Sequence, residues 1–220
     1  MTPVNRAAAP EPDLRRVGVA QLRFLDVIGR FDDSDLRRPS LLPGWTVAHV
    51  LAHVAGNADS HRRRAEAAAR GEVIDQYPGG YEGRAAEIER AAARTRAELV
   101  DEVATSAERL QAAWRQAPDG AWDVISRDVS GRERPLRGLP ARRWQELEVH
   151  VVDLDAGVTH RDWPADFVGV WLPALRATVE PRLPAGAALP APGILDDRDE
   201  LAWLYGRLHR SELPELRLWG

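Results

Sequence analysis

Two short pairs stand out among the side chains able to do chemistry. His49 and His53 lie four residues apart, and so do Glu146 and His150. In a helix that spacing brings two side chains to one side, near enough to meet a single ion. Two neutral imidazoles and one carboxylate suit zinc or another first-row divalent ion, and leave a position for water or a substrate. Spacing alone keeps other readings open: an isolated His-x3-His pair is usually coincidental, and Glu146 with His150 also reads as a helix-surface pair. At 100° per residue, the centre of the apolar stripe Val47, Val50, Leu51 and Val54 lies roughly 110° from His53 but roughly 150° from His49. His53 is therefore the better inward candidate of the two.

The neighbouring polar residues have weaker claims. Asn57 turns still closer to the stripe, where it either orients His53 or a ligand or makes a helix-packing hydrogen bond. Glu148 lies two residues from His150 and faces elsewhere. Asp153, three residues after His150, reads as an orienting carboxylate or as a solvent-facing one. Arg142 and Arg143 are expected to pair at the surface, with attraction of an anion as the alternative. His61 falls on the face of His53, two turns on, while His160 and His209 sit near punctuated segments; all three read as hydrogen-bonded or solvated side chains.

Composition removes several classes of mechanism. With no cysteine, disulfides, thiolate ligands and a cysteine nucleophile are excluded, and any thiol chemistry needs an imported thiol. All 30 basic residues are arginine, so a Schiff-base lysine and a Walker lysine are also absent. A net charge of -4 gives no general attraction to nucleic acid or to an anionic membrane. The run Arg62-Arg63-Arg64, with acidic neighbours, reads as a solvated helix face. No secretory leader and no run of about 18 apolar residues is seen, so a cytoplasmic location is expected.

The elements that must position these residues follow from periodicity and punctuation. After a Pro-rich start at Pro3, Pro10 and Pro12, an amphipathic helix is expected over 14–28, ending at Gly29. The segment Leu42-Pro43-Gly44-Trp45-Thr46 opens a second helix, capped by Thr46 and running from 47 to 70 before Gly71. A loop over 71–83, with Pro78-Gly79-Gly80, leads into one long helix over 84–116, unusually long on base rates. Residues 122–129 and 133–136 read as a hairpin turning at Ser130-Gly131. A further helix, from about Pro140 to Gly157, carries Glu146 and His150. Four substantial helices favour an antiparallel bundle. Beyond His160, a helix holding Phe167, Val170, Trp171 and Leu175 tolerates Pro173 only near an end. A Pro/Ala/Gly connection over 181–192 then precedes a short apolar helix over 201–208.

Taken together, Leu42-Pro43-Gly44-Trp45-Thr46, His49-Val50-Leu51-Ala52-His53-Val54-Ala55-Gly56-Asn57-Ala58 and Glu146-x3-His150-Val151-Val152-Asp153-Leu154 resemble the mycothiol-dependent maleylpyruvate isomerase family, within the DinB-like metalloenzyme superfamily. The resemblance implies a mainly α, DinB-like antiparallel four-helix bundle over 12–160 and a small, reduced α/β region on the substrate side over 161–220. It matches His53, Glu146 and His150 to the family's metal ligands, with zinc activating the thiol of mycothiol. Leu201-Ala202-Trp203-Leu204-Tyr205-Gly206-Arg207 resembles the family's C-terminal signature, and Pro214 to Trp219 its ending. This matches Arg207 to an arginine that receives a substrate carboxylate, a task suited to a guanidinium fork; its alternative is a salt bridge holding the C-terminal piece. Asn57 is assigned to the cofactor.

The expected activity is a zinc- and mycothiol-dependent isomerisation of maleylpyruvate or a related small unsaturated carboxylate, by thiolate addition and elimination. Mycothiol transfer to another electrophile and a non-catalytic metal-dependent binding protein are the alternatives. Expected partners are mycothiol and a small carboxylated electrophile, with neither nucleic acid nor membrane; monomer and homodimer both stay open.

Overall fold

The structure, a computed structural model, describes residues 8–191 and 193–217. Pro3 of the expected loose start, Pro192, and Trp219 of the family-like ending lie outside the described residues. The chain divides into two units, Met1–Leu154 and Asp155–Gly220, so the division falls a few residues before the expected boundary.

Helix α1, Glu11–Ile28, begins with Pro12 inside its first turn and Glu11 and Asp13 near the positive helix end. It buries Val17, Ala20, Phe24, Val27 and Ile28, a run at three- and four-residue spacing that gives one apolar face. Helix α2, Val47–Ala69, starts at the expected cap: the Thr46 backbone N–H donates to His49 Nδ1 at 3.2 Å. Gly71 takes φ +73° just beyond its end. The helix packs against α3 (Gly80–Ala92), α4 (Arg96–Gln116) and α5 (Leu139–Asp153). This explains why apolar residues and polar ones such as His53, Asn57, Ser60, His61 and Arg64 are all buried along it. Helix α1 completes the antiparallel bundle by packing on α5 and α4.

The long helix expected over 84–116 is two helices. Thr95 accepts from the Glu98 backbone N–H at 3.3 Å, and Glu98 takes the Thr95 backbone N–H at 2.9 Å. That reciprocal cap starts α4 afresh and ends the continuity with α3. The expected hairpin forms as two short antiparallel strands, β1 (Ile125–Arg127) and β2 (Glu133–Pro135), between α4 and α5. Asp128 accepts from the Ser130 and Arg132 backbone N–H groups at 3.0 Å each and fixes its turn.

Two expectations about arginines fail for one reason. Arg64 and Arg143, read as surface charges, are buried, because uncharged polar groups on distant segments receive them. Arg64 Nε donates to Ser126 Oγ at 2.7 Å. Arg143 donates to Val54 O at 2.8 Å, Asn57 Oδ1 at 2.9 Å and Gln21 Oε1 at 3.1 Å. Burial pushes the guanidinium of each down to about 10, as desolvation disfavours the charged form.

In the second unit, α6 (Ala165–Arg176) keeps Pro173 in its last turn, three residues before the end; the helix forgoes there the bond to the Gly169 carbonyl. Helix α7, Asp197–Leu204, is capped by Asp196. Trp163, Phe167 and Tyr205 form an aromatic cluster with ring centroids 5.5–6.3 Å apart. Beside it, the buried Asp199 carboxylate meets His160 at 2.9 Å, Arg161 at 2.7 Å and Arg210 at 2.6 Å. The described residues of this unit form helices, 3-10 turns and connections, without a strand. Among the described residues of the whole chain, no helix is long and apolar enough to cross a membrane.

Candidate metal centre

Helices α2 and α5 bring His53, Glu146 and His150 together. One ligand atom from each lies within 4.8 Å of the others. His53 Nε2 is 2.8 Å and His150 Nε2 3.3 Å from the same oxygen, Glu146 Oε2. The two imidazole rings meet edge to face, with centroids 4.6 Å apart. Exposure of the side chains grades from His53 at 4% through His150 at 12% to Glu146 at 31%.

The donor chemistry fits a divalent ion. Desolvation pushes the His53 ring down to about 4 despite its bond to Glu146, so the ring is neutral at pH 7, with one of its two nitrogens unprotonated. Burial alone would raise Glu146, but its hydrogen bonds with His150 and His53 prevail and hold it well below the ordinary carboxylate range. Burial also opposes charge on His150; Asp153 and then Glu146 outweigh it and raise this ring. His150 Nδ1 is 2.8 Å from the fully buried Asp153 carboxylate, which fixes the ring with Nε2 toward Glu146. A carboxylate behind the far nitrogen of a ligating histidine sets its tautomer and strengthens it as a donor.

His49 does not join the group. Its Nδ1 is taken by Thr46 in the α2 cap, and its Nε2 lies 3.4 Å from Glu89. Asn57 accepts from Arg143, the helix-packing alternative. Glu148 faces away as expected and pairs with Arg23 at 3.0 Å. His61 is buried, with Nδ1 unpartnered among the described residues. Arg207 belongs to the second unit, where its NH1 donates to Tyr205 O at 2.6 Å.

Three neighbours were not read as site residues from the sequence. The Trp45 ring lies 5.7 Å from that of His53. Arg84 NH2 is 3.1 Å from His53 Nδ1. Burial, followed by the Glu146 charge, raises the buried Tyr77 phenol, with Ser60 and Arg84 acting against them. A glycine-built turn delivers Tyr77 and Arg84. Gly79 takes φ +75°, and a Cβ on Gly83 would stand 1.9 Å from the Pro78 carbonyl oxygen. The signal available in sequence was Pro78-Gly79-Gly80 with Gly83, four special backbone residues between Tyr77 and Arg84. From this side a cleft of about 230 Å³ opens between α2, α3 and α4, with His53, Ala52, Tyr77 and Ile88 in its wall and Arg90 and Glu87 among its polar lining.

Among curated proteins none matches the chain. Among solved structures, the mycothiol-dependent maleylpyruvate isomerase superposes with a TM-score of 0.83 at 23% identity, covering 96% of this chain and 98% of that one. A histidine-to-alanine mutant of that enzyme gives 0.84 at the same identity and coverage. YfiT from Bacillus subtilis, described as a probable metal-dependent hydrolase with an unusual four-helix bundle topology, gives 0.55 at 16% identity, covering 70% of this chain and 90% of that one. These likenesses establish the DinB-like helical-bundle fold. Residues 18–155, well over half the chain, match the family described as the mycothiol maleylpyruvate isomerase N-terminal domain, and the chain belongs to that family.

Proposed function

We propose that this protein is a metal- and mycothiol-dependent isomerase of maleylpyruvate or a related small unsaturated carboxylate, working in the cytoplasm. The observation that carries the proposal is the convergence of His53 Nε2, His150 Nε2 and Glu146 Oε2 between α2 and α5, with His53 also in the wall of the cleft. Those three atoms would hold the ion, and two nitrogens with one carboxylate favour zinc. A bound divalent ion with an open position lowers the pKa of a thiol placed there, so that the thiolate is available at neutral pH.

The chain's own residues supply the remaining conditions. Having no cysteine, it depends on a borrowed sulfur. Asp153 keeps His150 aimed, and Arg143, bonded to Asn57, fixes α5 against α2. Asn57 thus serves the cofactor site by positioning. The Trp45 ring and the wall formed by Ala52, Tyr77 and Ile88 limit water around His53. A bound mycothiol would supply a thiol able to add reversibly to the cis double bond, the displaced electron pair passing to the conjugated carbonyl and returning as the thiol is released, so that the bond could rotate and the substrate would keep its composition. Arg207 is assigned to a substrate carboxylate, for which its guanidinium is suited.

The test is conversion of maleylpyruvate to fumarylpyruvate by zinc-loaded protein with mycothiol, beside His53→Ala and Glu146→Gln. Wild type is expected to turn over only with both metal and mycothiol, and both variants to lose metal by elemental analysis. Bound zinc without conversion would overturn the isomerase assignment. A stable thiol adduct with another electrophile would identify a transferase instead.

A further inference from the structure

Arg84 holds an arrangement that a bound metal cannot share. A guanidinium has donors only, so its 3.1 Å contact makes His53 Nδ1 the acceptor. A neutral imidazole carries one proton, which must then sit on Nε2, where it is donated to Glu146 Oε2 at 2.8 Å. In that form His53 has no lone pair for an ion at Nε2. Coordination through Nε2 requires the ring proton at Nδ1, and two donors would then face each other across the same 3.1 Å.

The surroundings indicate what the displaced side chain can do. Arg84 is half-buried, has no carboxylate within ion-pair distance among the described residues, and lies with its guanidinium carbon 6.0 Å from the centre of the Trp45 ring. Its backbone is held by the close contact of Gly83 with Pro78, so the flexible stem is the part free to move. A partly desolvated guanidinium without a protein anion favours a ligand carboxylate.

We propose that Arg84 and the metal compete for His53, and that metal binding releases the Arg84 guanidinium to bind a carboxylate of the substrate. The inference rests on the metal-dependent reading above and adds an order of events to it: metal first, then carboxylate. By linkage, a carboxylate that captures the released arginine must in turn tighten the metal.

Zinc affinity measured by competition with a chromophoric chelator, and maleate binding measured by calorimetry on metal-free and zinc-loaded full-length protein, test this. Arg84→Met is expected to bind zinc about tenfold more tightly than wild type, the equivalent of one lost charge-assisted hydrogen bond. A merely damaged site would move the other way. Maleate is expected to bind wild type at least about tenfold more tightly when zinc is present, with that coupling lost in Arg84→Met and reduced in Arg84→Lys. Circular dichroism of both variants checks the fold. Unchanged or weaker zinc binding by folded Arg84→Met, or maleate binding indifferent to Arg84, would overturn the proposal while leaving the metal reading intact. Failure of wild type to bind zinc would overturn both.

Discussion

Replacing Gly83 by alanine should destabilise the protein, although the residue lies within a helix, where alanine is ordinarily the better choice. In α3 the exchange alone would gain about 1 kcal/mol from helix propensity. Against this, the new Cβ would stand 1.9 Å from the Pro78 carbonyl oxygen, far inside any acceptable contact. The obstacle is backbone and cannot rotate away, so the turn from Pro78 to Gly83 must open. With overpacking at its upper range of about 3 kcal/mol, the net loss is about 2 kcal/mol. For a protein of this size that lowers Tm by roughly 4–8 °C. Gly18→Ala is the matched control: it lies in α1, where a methyl group added to its Cα would meet nothing within 4 Å, and it should raise Tm by roughly 2–4 °C. Thermal unfolding of the two variants separates propensity from collision. A Gly83→Ala protein as stable as Gly18→Ala would refute the close approach, and with it the account of how Tyr77 and Arg84 reach His53.

Three further outcomes follow from buried polar groups. Asp153→Asn removes the charge behind His150 and is expected to weaken zinc binding about 10- to 100-fold in a chelator competition, with little change in fold; an unchanged affinity would deny Asp153 its orienting role. Burial, then Arg64 and Arg143, hold the His61 ring well below 6.5. The unfolded chain therefore gains a proton below pH 6.5 that the folded one refuses, and stability falls as pH falls. In urea denaturation between about pH 8 and 5, His61→Leu should therefore lose less stability than wild type as the pH falls; parallel pH profiles would contradict it. Asp199→Asn leaves His160, Arg161 and Arg210 facing a neutral amide. Because the arginines reach solvent, a loss of about 2 kcal/mol is expected, below the roughly 3–5 kcal/mol of a fully buried pair. Faster amide exchange across residues 155–217 would register it, and wild-type protection would count against the hub.

Local patterns made the bundle and the triad legible. The stripe of Val47, Val50, Leu51 and Val54 gave α2 its inward face, and the same angular reasoning preferred His53 over His49. The outcome has a cause beyond angle, since the first turn of α2 needs a partner for the Thr46 backbone N–H and His49 supplies it. The division of α3 from α4 was also written locally, as Thr95-x-x-Glu98, but the surrounding alanines and arginines continue a helical composition through it. Composition masked a stop that hydrogen bonding imposes.

The buried arginines were hidden for a different reason. A charge pattern shows only neighbours along the chain, whereas Arg143 is received by Gln21 on α1 and by Val54 and Asn57 on α2. None of these is charged, so a search for opposite charges would miss them all. Arg84 combines both difficulties: its partner is a histidine 31 residues earlier, and only a glycine without a Cβ lets the turn approach closely enough to make the contact. The two ends of the site therefore differ in how they are encoded. His150, Glu146 and Asp153 are placed by the repeat of one helix, so spacing shows that they can meet, although it left Asp153 open between an orienting and a solvent-facing carboxylate. Tyr77 and Arg84 are placed by a backbone fit at Gly83, so that half of the site depends on a residue that carries no functional group.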